Sequence, residues 1–325
     1  MAKVHKLTLQ EAAGLINDGD LLAFSGFTIW RRPVALCYEL MRQGKKDLHL
    51  FEVQGGFHSD MLVGAGMVKI WESSWMGQEL LGKCGENLSR KMVGGEIITD
   101  DLSHGHAVAR LYAGSIGVPF FPTALAMGTD ILNPEFDMIG KAGLRDGSNP
   151  KIPKSKYTIV NDPFFDMGEL LLMPAVNPDC ALVYAPMVGK EGTVRVLAQS
   201  YNDADVIKAS DKVIIICEEI VPEEFLRQEP SMNLCAGYEV DYVVECPWAA
   251  HPTGSQGYYD CDADFLRDFN ALTRTQENFD KWADEWVFGV KTHDEYLSKL
   301  GITHLERLRA SKAMGYSTRV ERGTR

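Results

Sequence analysis

The stretch from Asp18 to Thr28 constrains the fold more than any other. A turn, Asp18-Gly19-Asp20, opens the apolar run Leu21 to Phe24, and Ser25-Gly26-Phe27 closes it. A run of that length bounded by turn residues reads as a buried strand. Pro33, favoured at a first helical position, then starts a helix that runs to Gly44. The unit is therefore strand, small-residue loop, helix. In open α/β sheets ligands bind beyond the carboxyl ends of the strands, and a glycine there lets backbone N–H groups approach them. The plainer reading of Gly26 is a turn residue.

The same unit recurs. Thr8 and Glu11 form a capping box ahead of a first helix. Asp47 to Val53 reads as a second strand, closed by Gln54-Gly55-Gly56, after which Ser59-Asp60 caps a short helix ending near Gly64. Val68 to Ser73 is a third strand, with Trp75 to Glu79 beyond it. Ser103 to Gly117 carries an apolar helical face. Three such units in about 120 residues argue for a parallel sheet. Residues 140–163 are rich in Gly, Pro and Lys and read as a surface excursion or hinge, often functional at that length.

The pattern then resumes with strands expected at Leu170–Met173, Cys180–Ala185, Val213–Cys217 and Val240–Glu245. A turn is expected at Gly192–Arg195 and a helix at Asp203–Ser210. From Asp264 the chain reads as helical. Phe279, Trp282, Ala283, Trp286 and Val287 form one apolar stripe, and capping boxes at Thr292/Glu295 and Thr303/Glu306 open two more helices. The expected class is α/β: an open, mainly parallel sheet flanked by helices, with a C-terminal helical segment. One domain is expected, with its body at 1–262, helices at 263–312 and an arginine-bearing tail (Arg319, Arg322, Arg325) at 313–325.

A formal charge of −12 disfavours nucleic acid and anionic membranes as partners. No apolar run reaches transmembrane length and the N-terminus lacks a signal-peptide pattern, so a cytoplasmic protein is expected. The seven cysteines form no C-x-x-C pair and read as buried free thiols.

Nucleotide-binding glycine fingerprints, the P-loop, the serine-hydrolase elbow and H-E-x-x-H are all missing. His104-Gly-His106 has poor spacing for a metal pair, and His251, after a strand, reads first as a structural hydrogen bonder. Glu52, Glu218 and Glu219 lie in or at the ends of strands and are weighed as nucleophile or base against cap or ion-pair roles. Glu79 should project into the same crevice as Ser25 and Gln54. What remains is a crevice of small-residue loops, Ser25-Gly26-Phe27, Gln54-Gly55-Gly56 and Met127-Gly128-Thr129, with no evident nucleophile. Such loops suit a carboxylate or a thioester carbonyl, where one oxyanion donor can be worth roughly 3 kcal/mol. The gap points to a second chain.

These residues resemble the α chains of family I coenzyme A transferases, and within them the glutaconate type. Asp18 through Thr28 carries the likeness, with Asp60-Met-Leu, Val118 to Pro122, Asp162-Pro-Phe164, Gly192 to Arg195, Cys217 to Ile220, Ala250-His-Pro252 and Glu285 to Phe288. His293 to Leu297 with Lys299-Leu-Gly301 is the longest block, and the ordered series spans Leu7 to Gly315. The resemblance implies a catalytic glutamate in a β subunit, which attacks an acyl-CoA and passes CoA to a carboxylic acid. This chain would then supply no catalytic residue, no metal site and no resident cofactor, with CoA or acyl-CoA as substrate. Its contribution would be the substrate wall of Ser25, Gly26, Phe27, Gln54, Gly55, Gly56, Gln78 and Glu79.

Two departures from the family pattern stand out. Ser25 replaces the first glycine of a Gly-Gly-Phe loop, and Gln78-Glu79 stand where the glutaconate type is Ser/Asn-rich. An ionised Glu79 would repel a second carboxylate by about 1 kcal/mol or more, which favours a monocarboxylate or an acid bearing a hydrogen-bond donor. A sister branch of ring-opening CoA-thioester hydrolases carries its glutamate in the α chain, opposite His104 here, leaving Asp101 and Glu79 as the alternative carboxylates. A non-catalytic sensor of acyl-CoA or sugar phosphate is the third reading.

Overall fold

The computed structural model describes residues 4–82, 85–166 and 168–320. The chain begins with β1 (His5–Lys6), α1 (Leu9–Gly14), β2 (Leu21–Phe24), α2 (Val34–Arg42), β3 (Leu48–Glu52), α3 (Phe57–Gly64) and β4 (Val68–Ser73). It continues through α4 (Glu86–Val93), β5 (Ile98–Asp101) and α5 (His104–Ser115). An excursion follows with β6 (Phe120–Thr123), α6 (Met138–Lys141), β7 (Thr158–Asn161) and β8 (Glu169–Pro174). The second half holds β9 (Cys180–Gly189), β10 (Val194–Arg195), α7 (Asp203–Ala209), β11 (Val213–Val221), α8 (Glu223–Arg227), β12 (Asn233–Cys235) and β13 (Tyr242–Glu245). Helices α9 (Ala263–Leu272), α10 (Gln276–Ala283), α11 (His293–Leu300) and α12 (Ile302–Leu308) close the chain.

The main sheet runs β1-β13-β11-β9-β2-β3-β4-β5, all in parallel. Only β10 departs, lying antiparallel between β9 and β12. The period of two along the strands splits the core into two layers. Leu22, Phe24, Ile214 and Ile216 face α1, α2 and the C-terminal helices, where Phe57, Phe269, Phe279 and Trp282 pack. Leu21, Ala23, Ile215 and Cys217 face the other side, with Leu111, Val206 and Ile207. No helix among the described residues is long and apolar enough to cross a membrane.

Several local expectations are corrected. α3 starts at Phe57, not after Ser59: Ser59 Oγ accepts the Gly56 N–H at 3.0 Å. Asp60, buried, instead caps α4 by accepting from Leu88 N at 2.8 Å and Asn87 Nδ2 at 2.8 Å. Pro33 is the N-cap of α2 rather than its first residue. Thr303 does not cap α12, which starts at Ile302 directly behind Gly301. Thr292 does cap α11, but Glu295 reaches back to Lys291 N and so completes no box. The apolar stripe is interrupted, since α10 passes into a π turn at Asp284–Phe288. Val194 and Arg195 are strand, not turn.

Leu170–Met173 lies in β8, but outside the main sheet. It pairs antiparallel with β6 and β7 in a small second sheet, and its Leu171 and Met173 pack under α5. Residues 140–163 carry the end of α6, a basic loop and β7. Cys37, Cys180, Cys217, Cys235 and Cys246 are buried free thiols, and Cys261 is half-buried. Cys84, Arg322 and Arg325 lie outside the described residues.

A buried relay fastens the C-terminal helices to the sheet. His251 bridges Tyr296 OH (Nδ1, 2.6 Å) and Asp262 (Nε2, 3.0 Å). The same Asp262 Oδ2 is also held by His304 of α12. Hydrogen bonding to Asp262 raises the His304 pKa above its ordinary value. Burial alone would raise Asp262, yet its two histidine partners hold it well below the carboxylate range. The raised imidazole adds stability that is full below about pH 6.5 and is lost as pH climbs through its folded value. The lowered carboxylate adds stability that is full above about pH 4 and is lost as pH falls through its folded value. The pair is therefore at full strength between about pH 4 and 6.5. His304→Ala is expected to cost about 1–3 kcal/mol at pH 6 and clearly less at pH 9 in urea titrations; an equal loss at both pH values would mean the ion pair plays no part.

Candidate functional site

The carboxyl ends of β2, β3 and β4 break into three loops that touch one another. Gly55 N donates to Trp75 O at 2.7 Å, joining the second loop to the third. Gly56 lies under the first, where an added Cβ would sit 2.6 Å from Thr28 O. Thr28 Oγ1 donates to Glu79 Oε1 at 2.6 Å, joining the first loop to the third. The segment before α7 completes the cluster: Tyr201 stacks on Phe27 with ring centroids 4.6 Å apart. Arg31 N donates to Gly254 O at 2.7 Å, adding the loop after β13.

Two consecutive buried arginines hold this arrangement. The Arg31 guanidinium pairs with Asp203 at 2.5 Å and donates to Gln199 O at 2.7 Å. Asp203 uses its other oxygen to accept the Gly26 N–H at 2.7 Å. Arg32 donates to Ser25 O at 2.9 Å and also to Gln54 O, so one planar fork ties the ends of β2 and β3 together. Glu52 lies 3.5 Å from the same guanidinium and accepts from His58 Nε2 at 2.7 Å. Burial would raise the Glu52 pKa, but His58 and Arg32 hold it below the ordinary value. Burial also pushes the Tyr201 phenol up, the charges of Asp203 and Glu79 adding to the rise and those of Arg31 and Arg32 opposing it.

The backbone is strained at the same place. Thr28, Arg31, Glu79, Ala198, Tyr201 and Trp248 all adopt positive φ, between 44° and 63°. Such residues cost of order 1–3 kcal/mol each and persist only where surrounding contacts dictate them; they cluster at ligand sites. That concentration marks these loops, rather than any other part of the surface, as the candidate site.

The residues expected from the sequence fall into two groups. Phe27, Gln54 and Glu79 are open or half-open on the cluster, Glu79 being exposed. Ser25, Gly26, Gly55, Gly56 and Gln78 are buried supports. The Ser25 hydroxyl accepts from Tyr184 N at 2.8 Å. The N–H groups of Gly26, Gly55 and Gly56 are taken by Asp203, Trp75 and Ser59, so the expectation that they face a ligand as free donors is corrected. Gln78 turns inward into a reciprocal amide pair with Asn270 of α9, at 3.1 and 3.2 Å. Met127-Gly128-Thr129 follows β6 of the second sheet, not a main-sheet strand. Arg31, Arg32, Thr28, Tyr201 and Asp203 are missed by sequence reasoning; the adjacent Arg-Arg just before a helix is the one available signal.

The remaining acids and histidines are placed as follows. Asp101 and His104 are exposed at the end of β5 and the start of α5. His106 is buried, with Nε2 2.9 Å from Leu125 O. Glu218 is buried and saturated, accepting from Tyr184 OH, Tyr259 OH and Trp248 N, and Glu219 accepts from Tyr258 OH. Among the described residues His251, Asp262 and His304 converge within 4.8 Å in a metal-like trio. Their hydrogen bonds to one another and to Tyr296 already account for it as a structural relay.

Residues 6–246 match the family model described as coenzyme A transferase. The chain is 33% identical to the glutaconate CoA-transferase A subunit of Acidaminococcus fermentans over 97% of each chain. It superimposes on the crystal structure of that enzyme with a TM-score of 0.89, covering 96% of this chain and 98% of the other. It is 30% identical to the 3-oxoadipate CoA-transferase A subunit of Pseudomonas knackmussii, over 90% of this chain and 97% of the relative. A more distant relative is the cholesterol ring-cleaving hydrolase IpdA subunit of Rhodococcus jostii, at 24% over 90% of this chain and 94% of that one.

Arg32→Met removes the fork while keeping the bulk of the stem. It leaves Glu52 buried beside fewer cations and two carbonyls short of donors, so a loss of about 3–5 kcal/mol is expected. The check is a lower urea midpoint at unchanged m-value. Arg32→Lys should recover only part of that loss, because an ammonium cannot span both carbonyls.

Proposed function

The chain belongs to the coenzyme A transferase family, and on that premise we propose that it is the A subunit of a two-subunit enzyme that moves CoA between an acyl-CoA and a small carboxylic acid. The carrying observation is a strained loop cluster at the strand ends in which the carboxylates of Glu52 and Glu218 are consumed by internal partners. The attacking glutamate then belongs to the B subunit. It opens the acyl-CoA to an acyl-glutamyl anhydride and CoA thiolate. The thiolate attacks the glutamyl carbonyl, releasing the first acid and leaving an enzyme–CoA thioester. A second acid reverses both steps and departs as its CoA ester.

On this reading the chain's part is to hold and select the acid. Phe27 and Tyr201 offer an aromatic wall, and Glu79 a carboxylate fixed by Thr28. A fixed carboxylate repels a second negative charge and accepts a hydrogen bond, so the acceptor is a monocarboxylate or an acid carrying a donor group. The hydrolase alternative has a foothold in Asp101 and His104, exposed at the end of β5 beside the cluster. It differs by product, releasing free CoA with no acceptor present, and Asp101→Asn would then abolish turnover.

The test is reconstitution with labelled acids and a B subunit. CoA exchange should need both chains; full exchange by this chain alone would overturn the shared site. Glu79→Gln should raise kcat/KM for a dicarboxylate acceptor about fivefold relative to a matched monocarboxylate, the factor that about 1 kcal/mol of repulsion implies. An unchanged ratio would remove Glu79 from the acid's surroundings.

A further inference from the structure

The edge strand β5 is covered by a segment that the transferase reading leaves without a role. Between residues 145 and 156 the chain places Arg145, Lys151, Lys154 and Lys156 against one acid, Asp146, in a protein whose net charge is −12. Three of these cations, Arg145, Lys154 and Lys156, line a cavity of about 380 Å³ together with Asn133, Asp137 and Ser155. We propose that this cavity binds a phosphate-bearing anion, the nucleotide end of the CoA thioester being the source its position favours.

The cations are built in rather than scattered. Lys156 is only 8% exposed, and its ammonium donates to Asp100 Oδ1 at 2.6 Å. Arg145 donates to Asp100 Oδ2 at 2.9 Å, to both Asp137 oxygens at 2.8 and 3.0 Å and to Pro153 O at 3.0 Å. Lys154 is exposed, and none of the ion pairs among the described residues involves it. Three cations thus face two carboxylates, Asp100 and Asp137, which leaves one positive charge uncompensated. A lysine ammonium has three donors and a guanidinium five. Lys156 therefore keeps donors in a nearly dry setting, where a charge-assisted bond to an anion is strongest. Ser155 and Asn133 supply neutral polar groups at the rim.

Position favours CoA over a separate ligand, and that part rests on the transferase reading. Asp100 is the penultimate residue of β5, three strands from β2, so the cavity lies roughly 14 Å across the sheet from the Ser25 loop at about 4.8 Å per strand. A pantetheine arm separates the thioester from the phosphates of CoA by a comparable span.

The experiment titrates pyrophosphate, adenosine 3′,5′-bisphosphate and CoA by calorimetry into the full chain, alone and with its B subunit, comparing wild type with Lys154→Glu. Lys154 is a surface residue outside the loop cluster, so the thermal midpoint should not move. Loss of one charged contact is expected to raise Kd for CoA and the bisphosphate about tenfold. If pyrophosphate weakens but CoA does not, the cavity still holds phosphate and its source is a separate ligand. If no CoA exchange is found with any acid while the anions still depend on Lys154, the transferase reading falls and the cavity stands. Unchanged affinity for all three anions overturns the proposal.

Discussion

The loop after β2 depends on two adjacent arginines that are taken out of water and paired with different partners. Arg31 reaches Asp203 at the start of α7, and Arg32 reaches the carbonyls of Ser25 and Gln54. Arg31 sits at φ 56°, and the two neighbouring side chains run to different partners, so one short segment clamps two regions far apart in sequence. Burying two guanidinium groups is unfavourable unless both are paired and hydrogen-bonded. Here Asp203 and Glu52 supply the charge, and the carbonyls of Gln199, Ser25 and Gln54 each accept a terminal N–H, while the Nε–H of both arginines is buried without a hydrogen-bond partner. These partners act with the Thr28–Glu79 and Arg31 N–Gly254 O hydrogen bonds to hold Thr28 and Arg31 at positive φ. Without them the loop would relax into commoner backbone, and the neighbouring Gly56 would lose the ceiling formed by Thr28.

That constraint explains why small residues matter here in a way different from the one their loop positions suggest. Gly26 is needed for close packing, since at φ +83° a Cβ would meet Trp30 O at 2.3 Å. Ser25 is needed for its hydroxyl, which replaces a sheet acceptor for Tyr184 N. Both shape the crevice from beneath. The groups that reach its surface are larger: Phe27, Tyr201 and Glu79. On the proposed reading, a wall of this kind selects what enters by shape and charge, and leaves covalent chemistry to the B subunit that faces it.

The sheet itself is legible because its signals are local. Leu21–Phe24, Leu48–Glu52 and Val68–Ser73 are short apolar runs punctuated by Gly, Asp and Ser, and each is a parallel strand at the position expected. Helix starts are less legible. Ser59 and Thr303 satisfy the capping pattern, yet Gly56 and Gly301 supply the entry geometry a few residues earlier. The small antiparallel sheet reads as more of the main one because an apolar run does not state the direction of its neighbour. The working residues of the site are hardest to see: Arg31 and Asp203 are 172 positions apart, and no local pattern links a buried arginine to a distant helix start.

The C-terminal helices make the same point from the other direction. They read from sequence as an appendage packed by an aromatic stripe, and Phe279 and Trp282 do bury that stripe against α3. Yet Asn270 of α9 also exchanges two amide hydrogen bonds with Gln78 and donates a third to Leu81 O at 3.2 Å, while an added Cβ on Gly82 would lie 2.3 Å from its side-chain nitrogen. The loop bearing Glu79 is thus held at its outer end by α9 and at its inner end by Gly55 and Thr28. The Asp262 relay fixes where α9 begins. The orientation of Glu79 therefore depends on a chain of contacts that passes from α12 through His304, Asp262 and α9 to Gln78, so this loop cluster is aligned by the part of the fold farthest from it in sequence.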